Sequence, residues 1–513
     1  MSRSFTEDRN LKPEKAKTAS SNLIAASYGA SVFDDLSAIW QKCMARHLRK
    51  VMARETVVLN WKEPVDTIAE AEAFLAPGGV GEQSEQERAG KFEALLEKML
   101  SSGQNLHHPR YIGHQVPASN PVAGLFDAVG SLTNQPMAIY EMGPWATAVE
   151  HAVTRSLCRK VGWNPDTSCG VLTHGGSLAN LTALLTARNV VFPGSWEVGL
   201  PQNVVLVVHA DSHYCMNRSA GILGLGTRHV VKAALDDRRR MDPSRLNELL
   251  LEQKAAGRKV MAVCASACAT PIGAFDPLQQ VAKVCRDHDV WLHVDAAHGG
   301  AALMSRTHRH LLDGIDMADS VVWDAHKMLF VPALCAAVLY RNHAHRFQTF
   351  QQDAPYLFDP SNPGMAEFDN GTRTIECTKR STGFGLWGIW ALYGEQLFEQ
   401  MVDRTFALAE YFCNCLVEAD DFEVLHTPEC NIVVFQYLPK SLRDGSTADV
   451  GRLQQELRSR LVKSGEFYIV QTNLNGRAAL RVTLMNPLTT EQDLTALLDE
   501  LRSIGQDILS KQP

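Results

Sequence analysis

Apolar residues recur at every third or fourth position through LSAIWQKCMARHLRKVM and KFEALLEKML, a spacing that predicts amphipathic helices between Leu23 and Leu106. A Pro/Gly break, APGGVGEQ, separates them. Residues 1–22 are polar and predict no element of their own. From Tyr111 the pattern changes to short apolar runs alternating with helical stretches. The runs NVVLVVHA (203–210), KVMAVCA (259–265), VWLHVDA (290–296), DSVVWDA (319–325) and CAAVLY (335–340) predict strands. Several are apolar throughout, as in strands covered by helices on both faces. The helical stretches 181–192, 245–257 and 277–289 fill the gaps. That alternation predicts an α/β fold with a mainly parallel sheet. A Pro/Gly/Asn-rich segment, FDPSNPGMAEFDNG (358–371), reads as a long functional loop. Beyond Ser381, LWGIWALYGEQLFEQMVDRTFALAEYF predicts the start of one long helix. The strands NIVVFQYL, EFYIVQTNL and AALRVTLMN and a last helix, EQDLTALLDELRSIG, predict a smaller α+β domain. The expected organisation is an N-terminal helical segment (1–110), a large domain (111–385) and a small C-terminal domain (386–513).

Composition narrows the class. The 513 residues are 45% hydrophobic and 21% charged, enough to bury a large core. A net charge of -7 argues against a partner held by phosphate neutralisation, so no nucleic acid is expected. No apolar run is long enough to span a bilayer, so no membrane is expected either; Met328–Tyr340 is short and contains Pro332. Charges occupy the N-terminus where a signal peptide needs apolar residues. The 12 cysteines are scattered and lack zinc-type spacing. They read as buried reduced thiols, which places the expected location in the cytoplasm.

In a parallel sheet, ligands bind beyond the carboxyl ends of the strands, here near His209, Cys264, Asp295 and Asp324. Four features fall at such ends. THGGSLAN (173–180) places Gly175, Gly176 and Ser177 before a helix, suited to a phosphate, although such a turn is usually a plain cap with Ser177 as the capping residue. Asp295 ends an apolar strand, where a carboxylate needs a partner: an ordinary cap or ion pair, or a cofactor nitrogen. Lys327 follows Asp324 beside an apolar region, where desolvation would lower its pKa and make it nucleophilic; a lone lysine there is ordinarily surface charge. His213 lies just past another strand and is ordinarily structural. Together they form a phosphate cradle, a carboxylate, an amine and a flat ring. That set suits pyridoxal 5′-phosphate.

The ordered series HPRY, GGSLAN, DSHY, GAFDPL, VDAAHGG, DSVVWDAHK and LRVTLMNP, from His108 to Pro487, resembles the group II pyridoxal-phosphate-dependent amino-acid decarboxylases. These include glutamate, aromatic amino-acid, cysteine-sulfinate and diaminobutyrate decarboxylases. The resemblance implies the fold type I pyridoxal-phosphate transferase architecture and a homodimer. It also implies that Lys327 carries the cofactor and Asp295 pairs with its ring nitrogen. His213 would stack on the ring, Thr270 and Ala297 would lie against it, and Gly176, Ser177 and His326 would contact the phosphate. Arg481 falls where glutamate decarboxylases bind the substrate carboxylate, and Tyr356 where a mobile-loop tyrosine protonates the product carbanion. The chain departs from the pattern at His298, where Trp or Tyr is common, at Cys268-Ala269-Thr270, where Gly-Thr-Thr is common, and at Asp324, where Asn is common.

The implied activity is decarboxylation of an L-amino acid to a primary amine and CO2. An acidic, diamino or other polar substrate of the glutamate, aspartate, cysteine-sulfinate or 2,4-diaminobutyrate type is favoured. Alternatives on the same cofactor are a transaminase, an aldolase, a carbon–sulfur lyase, or a decarboxylase of aromatic or aliphatic amino acids. A metal-binding protein built on His107-His108, His308-x-His310 and His343-x-His345 leaves the sharper motifs unexplained, and no metal ligand is assigned.

Overall fold

The computed structural model describes residues 23–24, 27–75, 84–350 and 367–511. They form two compact units, divided between Gln104 and Asn105.

The first unit holds α1 (Ala30–Met52), α2 (Pro64–Ala73) and α3 (Glu85–Ser102), with a Ser84/Glu87 capping box opening α3. Ion pairs tie the helices together: Arg46 meets Glu93 and Glu97, and Glu70 lies between Lys62 and Lys98. Among its described residues the buried apolar side chains are Cys43, Val51 and Val58, whereas Phe33, Trp61, Val65 and Ile68 are exposed. The periodic helices are present, but their apolar faces make little core within the unit.

The second unit begins with α4 (Pro121–Thr133) and α5 (Pro144–Val161). Next come β1 (Cys169–Thr173), α6 (Gly176–Val191), β2 (Val204–His209), α7 (Cys215–Ile222) and β3 (Val230–Ala233). The alternation continues with α8 (Pro243–Ala255), β4 (Lys259–Ser266), α9 (Leu278–Asp287), β5 (Trp291–Asp295), β6 (Ser320–Asp324) and β7 (Ala336–Tyr340). The seven strands run in the order β1-β7-β6-β5-β4-β2-β3. Strands β3, β2, β4, β5 and β6 are parallel, while β7 and β1 are antiparallel to their neighbours. Every residue of β2, β5, β6 and β7 is buried, which explains their apolar sequences. The register sets Ser266 beside Asp295 and Asp295 beside Val322, so the ends of β4, β5 and β6 adjoin.

All five strands predicted for this seven-stranded sheet are present. The sequence reading missed β1 and β3, which are only five and four residues long. The predicted long helix is instead two, α10 (Phe384–Tyr393) and α11 (Glu395–Glu418). Gly394, at φ 71°, divides them in a conformation that favours glycine. The last region adds β8 (Phe422–His426), β9 (Ile432–Tyr437), α12 (Thr447–Ser464), β10 (Val470–Leu474), β11 (Arg477–Thr483) and α13 (Glu491–Ser510). Its antiparallel sheet has the order β10-β11-β9-β8 and packs Phe412, Phe435, Leu457 and Leu497 in its core.

Buried polar groups pin α5 and α6 to the sheet. Lys379 donates to both oxygens of Glu150 at 2.7 Å and to Leu172 O at 2.6 Å, joining α5 to β1. His293 on β5 reaches Asn180 of α6 at 2.8 Å and Ser320 of β6 at 2.9 Å. Burial pushes His293 down to about 4. A depressed folded-state value means that this contribution is fully present above the unfolded histidine pKa of about 6.5. It is lost as pH falls from there toward about 4. Denaturant titrations should therefore show wild-type stability falling more steeply across that window than His293→Gln stability, by up to roughly 3 kcal/mol at its acidic end. Parallel curves would remove His293 as the cause.

Candidate active site

Two glycines open the site. Gly175, at φ +105°, turns the chain from β1 into α6 in a conformation that excludes ordinary side chains. A Cβ on Gly176 would lie 2.5 Å from Asp324 Oδ2. Asp324 is 1% exposed and lies beside Lys327, so a Cβ here would push its carboxylate off that contact. No side chain caps α6. The capping role expected of Ser177 is thus not realised. Ser177 lies one residue inside the helix and faces the cavity, leaving the positive helix end open to an anion.

The cavity beside this turn has a volume of about 280 Å³, near the lower end of small-molecule sites. Its lining includes Gly176, Ser177, His213, Thr270, Asp295, Ala297, His326 and Lys327. Residues predicted from widely separated motifs therefore meet in one place. Two of the four strand ends named from the sequence do not take part. His209 is fully buried 3.4 Å from Asp276, and Cys264 is buried within β4. Tyr356 lies outside the described residues.

Lys327 Nζ is 3.1 Å from Asp324 Oδ2. Burial acts to lower the amine pKa, as the sequence suggests, but the Asp324 and Asp295 carboxylates outweigh it and the net direction is upward. The expected depression therefore fails, because the lysine is desolvated together with two anions. Asp295 Oδ1 accepts from Ala297 N–H at 3.2 Å. His213 Nδ1 accepts from Cys215 N–H at 3.3 Å, leaving the proton of the neutral ring on Nε2. Burial, with Lys327 and Arg218 adding to it, pushes His213 below the usual histidine value despite Asp295. His326 Nδ1 lies 2.8 Å from Cys335 O, and its Nε2 is 3.8 Å from Asp324.

Arg481, on β11, does not line the cavity. It is 7% exposed and donates from Nη2 to Thr483 Oγ1 at 3.2 Å, while its Nε lacks a partner. Burial pushes this guanidinium down to about 10. Among the described residues no carboxylate pairs with it. The Cys268 and Cys430 thiols act on its charge, and Cys268 is itself part of the cavity wall. Sequence reasoning missed Cys430, which falls in an unremarkable loop. Burial acts to raise its thiol pKa, but Cys268 and His298 outweigh burial and pull it down to about 6. Reasoning from sequence also missed the His174–Glu376 contact at 2.9 Å on the cavity rim.

The donor set fits pyridoxal phosphate. An amine stands ready for an aldehyde, a carboxylate for a ring nitrogen, and an uncapped helix end with a Cβ-free approach for a phosphate. Lys327 balances only one of the two adjoining carboxylates, so a protonated ring nitrogen at Asp295 would complete the charge balance.

Residues 81–438 match the model of the pyridoxal-dependent decarboxylase conserved domain. The chain is 33% identical to rat cysteine sulfinic acid decarboxylase over 90% of this chain and 94% of that one. It is 31% identical to mouse acidic amino acid decarboxylase GADL1 over 82% and 78%, respectively. The crystal structure of mouse CSAD, 31% identical, superposes with a TM-score of 0.82 over 92% of this chain and 99% of that one.

Replacing Gly176 by Ala should leave the circular dichroism spectrum unchanged and weaken pyridoxal phosphate retention in dialysis at least about tenfold, since a buried clash costs roughly 1–3 kcal/mol. Unaltered retention would remove this turn from the cofactor site.

Proposed function

The chain belongs to the pyridoxal-dependent decarboxylase family, and on that premise we propose that its substrate is an amino acid with a short acidic side chain. Pyridoxal phosphate, when bound, supplies the sink for the electron pair left when the Cα–carboxylate bond breaks. The protein's part is orientation and charge placement. Lys327 would hold the cofactor covalently and give way to the substrate amine. Asp295 would keep a proton on the ring nitrogen. The open end of α6, with Gly176, Ser177 and His326, would hold the phosphate. Thr270 and Ala297 would press on the ring, and His213 would cover its face. A proton must then reach Cα. His213 is largely neutral near pH 7 because its pKa is depressed, and its Nε2–H would be one donor; Tyr356 would be the other.

One observation bears on the substrate class: behind the Cys268 part of the cavity wall lies Arg481, a buried guanidinium without a carboxylate partner among the described residues, whose positive field favours an anionic side chain in the cavity. An unpaired buried charge is costly and calls for an anion. The names of the relatives agree, since cysteine sulfinate and acidic amino acids both carry a second anionic group. A diamino substrate would instead require a free carboxylate, and Asp324 is engaged by Lys327.

We further propose a homodimer and a cytoplasmic location. Leu125, Val129, Leu132 and Trp145 expose apolar surface on α4 and α5 that a second copy would cover, and sedimentation equilibrium separates one chain mass from two. The 12 cysteines are all free thiols, as a reducing compartment requires.

The test is CO2 release from carboxyl-labelled amino acids. Cysteine sulfinate, aspartate or glutamate should exceed 2,4-diaminobutyrate and aromatic substrates by at least about tenfold in kcat/KM. Arg481→Met should lower the acidic-substrate value by roughly 10-fold, the worth of about 1.4 kcal/mol from a cation in a poorly screened wall. Preference for diaminobutyrate, or keto-acid formation in place of CO2, would overturn the proposal.

A further inference from the structure

Two departures singled out in the sequence, Cys268 and His298, converge in the structure with a third residue, Cys430. All three are buried, at 6%, 4% and 3% exposure, and their ligand atoms lie within 4.8 Å of one another. The two sulfurs are 3.8 Å apart. A tetrahedral cation with bonds of about 2.3 Å to each sulfur sets them about 3.8 Å apart. Two touching thiols give a similar separation, so the third residue decides.

The His298 ring is fixed by its neighbours. Asn431 Nδ2 donates to Leu484 O and lies against Met328 Sδ, both at 3.1 Å, which turns its Oδ1 toward His298. That oxygen is 2.8 Å from His298 Nε2 and accepts its proton. The Nδ1 lone pair therefore faces the cluster, where the Cys430 thiol is the group that meets it. A ring nitrogen freed by a second residue that fixes the opposite tautomer is the arrangement found at metal-ligating histidines.

We propose that Cys268, His298 and Cys430 form a site for one soft transition-metal cation of the zinc class. Two thiolates and one imidazole suit such a cation and not magnesium or calcium. Binding releases one proton from each thiol, and the two thiolates neutralise a divalent ion. The Arg481 guanidinium acts on both thiols, but the Cys430 contact and burial outweigh it at Cys268 and hold that thiol well above its usual value, so the cation itself must displace that proton. Cys268 and His298 line the active-site cavity, which gives the ion a route in. The site is independent of which amino acid is decarboxylated.

The experiment uses the full-length reduced holoenzyme, titrated anaerobically with Co2+ and, separately, Zn2+. One Co2+ per chain should bind with the intense ligand-field bands of a tetrahedral thiolate site, to the red of pyridoxal absorbance, and Zn2+ should displace it. Cys430→Ser and His298→Gln should each weaken binding by more than about 100-fold, and Asn431→Ala by about 10- to 100-fold through loss of the tautomer lock. Cys285→Ser, at a buried thiol away from the cluster, should bind as wild type does. Absence of thiolate–Co2+ bands in the wild-type chain would overturn the proposal whatever the variants do. So would bands that survive in Cys430→Ser, or a Cys268–Cys430 disulfide in the protein as isolated.

Discussion

A lysine amine buried against two carboxylates is the constraint on which the site depends. Lys327 balances one negative charge; Asp324 and Asp295 bring two, inside a wall where charge is poorly screened. The sheet creates this conflict by setting the carboxyl ends of β5 and β6 side by side. A pyridinium nitrogen at Asp295 would resolve it, leaving Asp324 to Lys327. Asp324 also bears on Gly176: its oxygens occupy the volume that a Cβ would need, so the residue that raises the amine also presses on the glycine turn.

Much of this was legible in the sequence because each motif sits at the end of an apolar strand. Asp295 and Lys327 could be placed from strand length and crossover spacing alone. The geometry of GGSLAN was legible too, though Ser177 faces the cavity and does not cap. The sign of the Lys327 shift was not legible. It depends on which anions lie within reach, and a linear pattern does not report distance. His209 and Cys264 occupy strands as apolar as the others, and only the packed structure separates their surroundings from the cavity. The helix before Gly394 is apolar almost throughout and the next begins one residue later, so the pattern shows no break there and two helices read as one.

The small sheet contributes what the large one lacks. Arg481 on β11 brings a buried cation, and the segment leading into β9 brings Cys430 against the wall formed by Cys268 and His298. Position by position, Cys268 and His298 are departures from the family pattern, Arg481 follows it, and Cys430 carries no signal of its own. Their convergence follows from chain topology, which joins a loop after β4, a loop after β5 and the approach to β9.

The most direct measurement is reduction of the purified, reconstituted protein with borohydride followed by peptide mass mapping. The account predicts a single pyridoxyl phosphate adduct, on the Nζ of Lys327. A protein that stays colourless and acquires no adduct, or acquires it on a different lysine, would contradict it.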